Sequence, residues 1–273
     1  KGVNVLEKQA QRNMGKFMKI LLVKRLESSF HAFKQSLDRF IKSYEMFIKQ
    51  YENGKVYISK KYSSKIFEIL EKGDDKTLEL LGELVEAGKV KKFNSHNFTS
   101  AFIQDLKYDL KVLNDIKKLW ENVNRDPKIE ELKKEMRNNH ILKKNHVLIF
   151  TESKETADYL SKNLTGEKTM LFTGDTKKSE REELIANFDA NARDKENNYR
   201  ILISTEVLSE GINLHRGNVV INYDIPWNPT RMMQRVGRIN RVDTPHEKIY
   251  TFNFFPHHNQ MNKLIWKRQQ REK

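Results

Sequence analysis

Five short apolar runs in the second half of the chain restrict its fold more than any other feature. They are Val147-Leu-Ile-Phe-Thr151, Thr169-Met-Leu-Phe-Thr173, Arg200-Ile-Leu-Ile-Ser204, Val219-Val-Ile-Asn-Tyr223 and Ile249–Phe254. These runs are nearly continuous rather than alternating apolar with polar, as expected of strands covered on both faces. Between them, Lys154–Leu164 and Lys178–Phe188 read as helices, Ala190–Tyr199 as a polar loop, and the residues after Ser204 as a short helical turn. Strands alternating with helices predict an α/β fold with a parallel, doubly wound sheet over residues 146–273. The working loops of such sheets lie beyond the carboxyl ends of the strands. Thr151, Gly174, Thr205 and the chain from Asp224 onward all fall there.

The stretch from Trp227 to Arg241 carries four arginines, Arg231, Arg235, Arg238 and Arg241, and no acid. Asn228 suits a helix N-cap and Pro229 its first turn. Arg235, Arg238 and Arg241 recur every three residues and share a face if the helix continues. Gly237 leaves room beside them for another chain or a ligand. Arginine makes forked hydrogen bonds to phosphate oxygens. The plain alternative is a solvated basic helix, or arginines paired with local acids such as Asp224 and Asp243.

Gln234-Arg-Val-Gly-Arg-Ile-Asn-Arg241 resembles motif VI of superfamily 2 helicases, and Ser204-Thr-Glu-Val-Leu-Ser-Glu-Gly-Ile-Asn-Leu214 resembles motif V at the expected distance upstream. Leu148–Ser153 is similar to motif IV, and Phe172-Thr-Gly-Asp-Thr176 to a strand motif of the second lobe. The resemblance covers roughly residues 146–256 and is nearest to SWI/SNF-like and RapA-like ATP-driven translocases. It implies a RecA-like second motor lobe. Arg238 and Arg241 would be arginine fingers, with Gln234 near the γ-phosphate or attacking water. Arg235, Gly211 and Asn213 would lie at the nucleotide, although many relatives carry Asp where this chain has Asn213. Thr151, Thr173, Gly174, Ser204 and Thr205 would line the nucleic-acid path. Arg231 lies outside the motif and reads as structural, and Glu206 and Glu210 as capping or solvated acids. The implied cofactors are ATP and Mg, held mainly by a first lobe. The implied partners are that lobe and nucleic acid, DNA or RNA, with duplex DNA the first choice.

No G-x-x-x-x-G-K-[ST] phosphate loop and no Asp-Glu-x-His motif occurs in the 273 residues. The chain starts at Lys1 without methionine, so it reads as a piece of a larger protein that alone should not hydrolyse ATP.

Residues 1–145 read as an all-α helical bundle or insertion. Leu26, Phe30, Phe33, Leu37, Phe40, Tyr44, Phe47 and Tyr51 form an unbroken heptad stripe on one long helix from about Phe17 to Tyr51. Such a helix would reach about 50 Å. Its aromatic residues suit a bundle seam better than a two-stranded zipper. Asn53-Gly54 signals a turn and Val56–Ser59 a short extended piece. Two helices follow near Ser64–Glu71 and Asp75–Ala87, and a long one from about Thr99 to Asn122 that can pack antiparallel on the first. Pro127 marks a break before a helix from Ile129 to Leu142. Leu21-Leu-Val-Lys-Arg-Leu-Glu-Ser-Ser29 looks like a segment that precedes the second lobe in bacterial members of the family.

The formal net charge is +14, with 51 Lys and Arg against 37 Asp and Glu. Residues 1–145 hold 31 of those bases and 20 of the acids, so this half supplies most of the positive field, which favours a polyanionic partner. The chain has no cysteine, which excludes disulfides and thiolate metal sites and fits a cytoplasmic location. No metal site is expected, and His96, His140 and His146 read as surface residues. No apolar run is long enough to span a membrane. Two other function classes stand beside the motor lobe. One is a non-catalytic nucleic-acid or protein binding module on a RecA-like scaffold. The other is a nuclease, for which no acid or histidine cluster is visible.

Overall fold

The computed structural model describes residues 19–58, 91–98, 100–174, 176–205, 212–226, 228–255 and 265–272. It divides into two compact units, Lys1–Phe33 with Arg125–Lys273, and Lys34–Asn124. The boundary expected at 145/146 falls inside the first unit.

The described elements in chain order begin with α1 (residues 19–28). After it come α2 (Phe30–Glu52), β1 (Lys55–Ile58), β2 (Lys91–Asn94), α3 (Ser100–Glu121), α4 (Pro127–Asn138) and α5 (His140–Lys144). The α/β part continues with β3 (Val147–Thr151), α6 (Lys154–Asn163), β4 (Thr169–Phe172), α7 (Lys178–Phe188), β5 (Ile201–Thr205), β6 (Val219–Asn222), α8 (Pro229–Gly237), β7 (Lys248–Phe255) and β8 (Ile265–Glu272).

The long helix expected over residues 17–51 is interrupted at Ser29. Its hydroxyl accepts a hydrogen bond from Ala32 N at 3.0 Å, so it caps α2 and separates that helix from α1. A heptad pattern cannot report such a break, because the apolar spacing runs through it. In the second unit, α2 and α3 pack antiparallel. Lys117 pairs with Asp38 at 2.8 Å, Tyr44 donates to Asp109 at 3.4 Å, and Phe47 meets Phe102 edge-on at 6.0 Å. The deepest α2 positions of this unit are Leu37, from the expected stripe, and Ile41 and Ile48 beside it, while Phe40, Tyr44 and Phe47 of the stripe are half-buried. Gly54, at φ +79°, turns the chain out of α2 into β1. β1 and β2 pair antiparallel, with Val56 opposite Phe93. This ribbon corrects the all-α reading of the first half. The helices expected near Ser64–Glu71 and Asp75–Ala87 lie outside the described residues.

In the first unit Pro127 starts a helix rather than merely breaking one. Asp126 caps α4 by accepting from Lys128 N at 3.0 Å. The helix expected up to Leu142 divides at Asn139. Its backbone N–H closes α4 on Glu135 O, and its side chain accepts from Ile141 N to open α5. The sheet has the order β4-β5-β3-β6-β7-β8. The first five strands are parallel and β8 runs antiparallel on the edge. The α/β class and parallel sheet expected from the strand–helix alternation are therefore observed. β8 was not foreseen, since its Ile-Trp-Lys-Arg-Gln-Gln-Arg-Glu composition has no strand alternation and resembles a charged tail.

The two sheet faces explain why the strand runs are continuously apolar. Val147, Ile149, Ile201, Ile203 and Ile221 face one core, with Leu132, Leu142 and Leu160 from α4, α5 and α6. Leu148, Phe150, Leu202 and Val220 face the other, with Leu184 and Phe188 from α7. Gly217 enters β6 so close to this second core that a Cβ would lie 2.3 Å from Leu148 Cδ1. β3 is the switch point, with β4 and β5 wound to one side and β6 and β7 to the other.

Lys128 and Tyr159 give the first unit a pH signature. Burial pushes the Lys128 ammonium down to about 8 from 10.5, against the opposing pull of Asp224, Asp126 and Glu27. Burial, then Asp126, raises the Tyr159 hydroxyl to about 12 from 10.0. Between pH 8 and 10.5 the unfolded chain holds the Lys128 proton more tightly than the fold does, so stability rises with pH there. The Tyr159 contribution has the opposite sign: it is present below pH 10 and lost as pH approaches 12. The urea midpoint of the chain is therefore expected to rise from pH 7.5 to 9.5 and fall by pH 11.5. The Lys128→Met variant should lose the rising limb, and a rise of equal size in that variant would exclude Lys128 as its source.

Candidate functional site

The site forms where β3, β5 and β6 end. α8 begins there as the sequence dictates, with Asn228 accepting from Thr230 N at 3.0 Å and Pro229 in the first turn. It ends at Gly237, with Arg238 as its C-cap in an αR conformation. The expectation that Arg235, Arg238 and Arg241 share one helical face is not met, because the helix stops before two of them. Ile239, fully buried in the second core, pins the chain between Arg238 and Arg241. Arg238 is left half-buried and Arg241 exposed. Neither guanidinium has a hydrogen bond or ion pair with any described residue. Gln234 is exposed one turn before Arg238. A Cβ on Gly237 would meet nothing within 4 Å, so open space lies beside this glycine.

The chain after motif V is joined directly to motif VI. Leu214 N donates to Arg238 O at 3.0 Å, which brings half-buried Asn213 beside the C-cap. Ile212 and Leu214, on either side of Asn213, are buried in the core and fix the loop. Gly211, Glu206 and Glu210 lie outside the described residues. His215, with no exposed surface, has Nδ1 3.6 Å from Asp189 and Nε2 3.6 Å from Asp243, and neither ring nitrogen makes a hydrogen bond to a described residue. The sequence reading missed this residue, whose only signal is its place one residue beyond the motif V match.

Arg235, expected at the nucleotide, lies inside the lobe. It is 4% exposed and donates to Asn222 Oδ1 at 2.9 Å and to Asp224 O at 3.1 Å. Its guanidinium carbon lies 5.6 Å from the Phe150 ring centre and its Nη2 3.8 Å from Asp224 Oδ1. These contacts enclose Arg235 in the lobe, the kind of setting that the local-acid alternative describes.

The hydroxyls expected along a nucleic-acid path are also turned inward. Thr151 is fully buried and donates to Asp224 at 2.5 Å. Ser204 is buried and donates to Thr205 O at 2.7 Å. Thr205 and Thr173 are buried, while Gly174 is exposed on the turn closed by Thr173 N and Thr176 Oγ1 at 2.8 Å. Central parallel strands are covered on both faces, so a hydroxyl at their ends must find a partner inside.

Asp224 is the centre of that interior. It accepts from Thr151, from Glu152 N at 2.9 Å and from Ser28 Oγ at 2.7 Å. Ser28 and Ser29 both meet Thr156, at 2.8 and 2.9 Å. Lys128 Nζ closes the carboxyl end of α1 through Glu27 O at 2.5 Å and Ser28 O at 2.9 Å, and lies 4.2 Å from the Tyr223 ring centre. The Leu21–Ser29 run is thus built into the α/β unit. His146, read as a surface residue, is half-buried edge-on against Phe188, and burial, then Arg216, lowers its pKa. Among the described residues no group of three His, Asp or Glu is placed to hold a metal ion, and no helix is long and apolar enough to cross a membrane.

Residues 127–243 match the family model of the helicase conserved C-terminal domain. An uncharacterized ATP-dependent helicase of Bacillus subtilis, YqhH, is 36% identical over 114 residues, 41% of this chain and 19% of that protein. The ATP-dependent RNA helicase FAL1 of Kluyveromyces lactis is 34% identical over 96 residues, 34% of this chain and 23% of that protein. Among solved structures, the C-terminal part of the Fun30 ATPase domain shares 29% identity over 46% of this chain and 39% of its own, with a TM-score of 0.40. The chain thus spans about a fifth to a quarter of the length of these curated relatives. The end of motif V is bonded to the Arg238 carbonyl through Leu214 N, and both lie within residues 127–243, the stretch that matches the helicase conserved C-terminal domain.

Proposed function

We propose that this chain is the second, RecA-like motor lobe of an ATP-dependent nucleic-acid translocase of the SWI/SNF-like and RapA-like kind, completed by a lobe that carries a phosphate loop. The observation that supports this best is the contrast among the motif VI arginines. Arg235 is sealed inside, whereas Arg238 is half-buried and Arg241 exposed, neither with a hydrogen bond or ion pair to a described residue. Two guanidiniums without a hydrogen bond or ion pair to any described residue, on a backbone held by a buried isoleucine and a hydrogen bond, are suited to phosphate oxygens brought by another lobe. No acidic cluster among the described residues fits Mg, so the metal is assigned to the completing lobe. Asn213 and Gln234, beside these arginines, are assigned to the nucleotide.

Duplex DNA is the proposed track. Residues 1–145 carry most of the net charge, and α3 presents Lys107, Lys111 and Lys118 to solvent. Such contacts read the phosphate backbone, not sequence. RNA is the second reading, favoured by the naming of FAL1 as an RNA helicase. The deciding experiment measures phosphate release by the intact motor with duplex DNA or RNA, beside the 273-residue chain alone. Stimulation by duplex DNA is expected, with no release above background by the chain alone. Stimulation by RNA only would move the assignment to an RNA helicase. Robust hydrolysis by the chain alone would overturn the division of labour between lobes.

A further inference from the structure

Two acids at neighbouring strand ends each hold α1 and α8 at once. Glu152, just past β3, accepts from Lys24 Nζ at 3.1 Å through one oxygen and from Arg231 at 3.0 Å through the other. Asp224, just past β6, accepts from Ser28 Oγ at 2.7 Å, and its other oxygen lies 3.8 Å from Arg235. Arg235 also donates to the Asp224 carbonyl at 3.1 Å. Lys24 and Ser28 are four residues apart on α1, and Arg231 and Arg235 four apart on α8. Each pair therefore lies on one face, one turn apart. The result is a ladder of two rungs, with a carboxylate at the middle of each.

The rungs differ in strength. Glu152 is half-buried, so solvent screens its bonds. Asp224 is 7% exposed, and its orientation is set by Thr151, Glu152 N and Ser28 together. In such surroundings a hydrogen bond to a charged group is strong, and losing one donor frees the carboxylate to turn. α1 is itself fastened elsewhere, through Arg25 to Ser153 at 2.6 Å and to Glu155 at 2.9 Å, and through Lys128 at its carboxyl end. It is thus a fixed support against which the two acids are held.

We infer that α1 is a positioning element for the arginine helix: Lys24 and Ser28 orient Glu152 and Asp224, which hold Arg231 and Arg235 and so set where α8 presents Arg238. The functional consequence rests on the reading of Arg238 as phosphate-facing. The coupling of the two helices does not, and it is tested without nucleotide. Amide hydrogen exchange is measured on the 273-residue chain. Ser28→Ala is expected to speed exchange of the Met233–Arg238 amides on the order of tenfold, with β3 and β5 unchanged. Lys24→Met should speed them by about threefold, as suits a half-buried, solvent-screened rung, whereas Lys24→Arg, which keeps the cation, should restore wild-type exchange. Because coupling is reciprocal, Arg231→Met should speed exchange in residues 21–28. The two Lys24 variants and Arg231→Met carry the test if Ser28→Ala does not fold. Exchange that quickens in the altered helix only, with its partner at the wild-type rate, would overturn the inference. Arg238→Ala should leave all these rates unchanged, so failure of the phosphate reading and failure of the coupling give different results.

Discussion

Arg238→Lys is expected to lower ATP turnover of the intact motor by roughly 10³-fold at saturating ATP and nucleic acid, with a far smaller change in nucleotide affinity. The reason is timing. A guanidinium that faces a transferring phosphoryl group stabilises charge that develops in the transition state, so its loss appears in kcat before KM. Lysine keeps the charge but not the planar fork. Arg238 suits this role because no described residue of its own lobe hydrogen-bonds its side chain. It caps α8, its carbonyl is held by Leu214 N, and buried Ile239 follows it. The backbone is therefore fixed while the side chain meets no described partner. Arg241 is exposed and follows the turn, so Arg241→Lys should also slow turnover, but less. Wild-type turnover in both variants would falsify the finger assignment.

The fold was legible where pattern is decisive. Runs such as Val147–Thr151 and Ile201–Ile203 are apolar on both sides, and the two cores explain why. Asn228-Pro229 announced the start of α8, because a cap and a prolyl first turn are local chemistry. What the sequence hid was of two kinds. Breaks made by side-chain caps, at Ser29 and Asn139, leave no mark in apolar spacing. Burial of polar groups is likewise invisible until the strands are placed side by side. Thr151 and Asp224 are 73 residues apart and Ser28 and Asp224 are 196 apart, yet both pairs are bonded. A motif match assigns all its arginines outward. Only the neighbouring ends of β3 and β6 reveal that Arg235 donates to Asn222 and to the Asp224 carbonyl. One signal was available in retrospect: basic or hydroxyl residues four apart on α1 and on α8, with single acids at Glu152 and Asp224 at the strand ends between them.

The same contrast predicts a separation of effects between neighbouring arginines. Arg235→Met is expected to destabilise the chain by about 3 kcal/mol, because it leaves Asp224 buried without its guanidinium partner. Breaking one side of a buried pair is costly, whereas removing both charges is often nearly neutral. Asp224 keeps Thr151, Ser28 and Glu152 N as donors, and Lys128 remains a nearby cation, which places the cost at the lower end of the range for such pairs. The double variant Arg235→Met with Asp224→Asn should therefore recover part of the loss rather than add to it, since the unpaired charge is gone. Arg238→Ala, at a half-buried side chain without a described partner, should change stability by about 0.5 kcal/mol or less. Urea unfolding followed by circular dichroism on the four chains measures all of this. If Arg235→Met unfolds at the wild-type midpoint, the buried pair is not holding the lobe and Arg235 returns to the nucleotide. If it unfolds early while Arg238→Ala does not, a loss of turnover in an Arg235 variant of the motor reports a damaged lobe, and a loss in an Arg238 variant reports the chemistry.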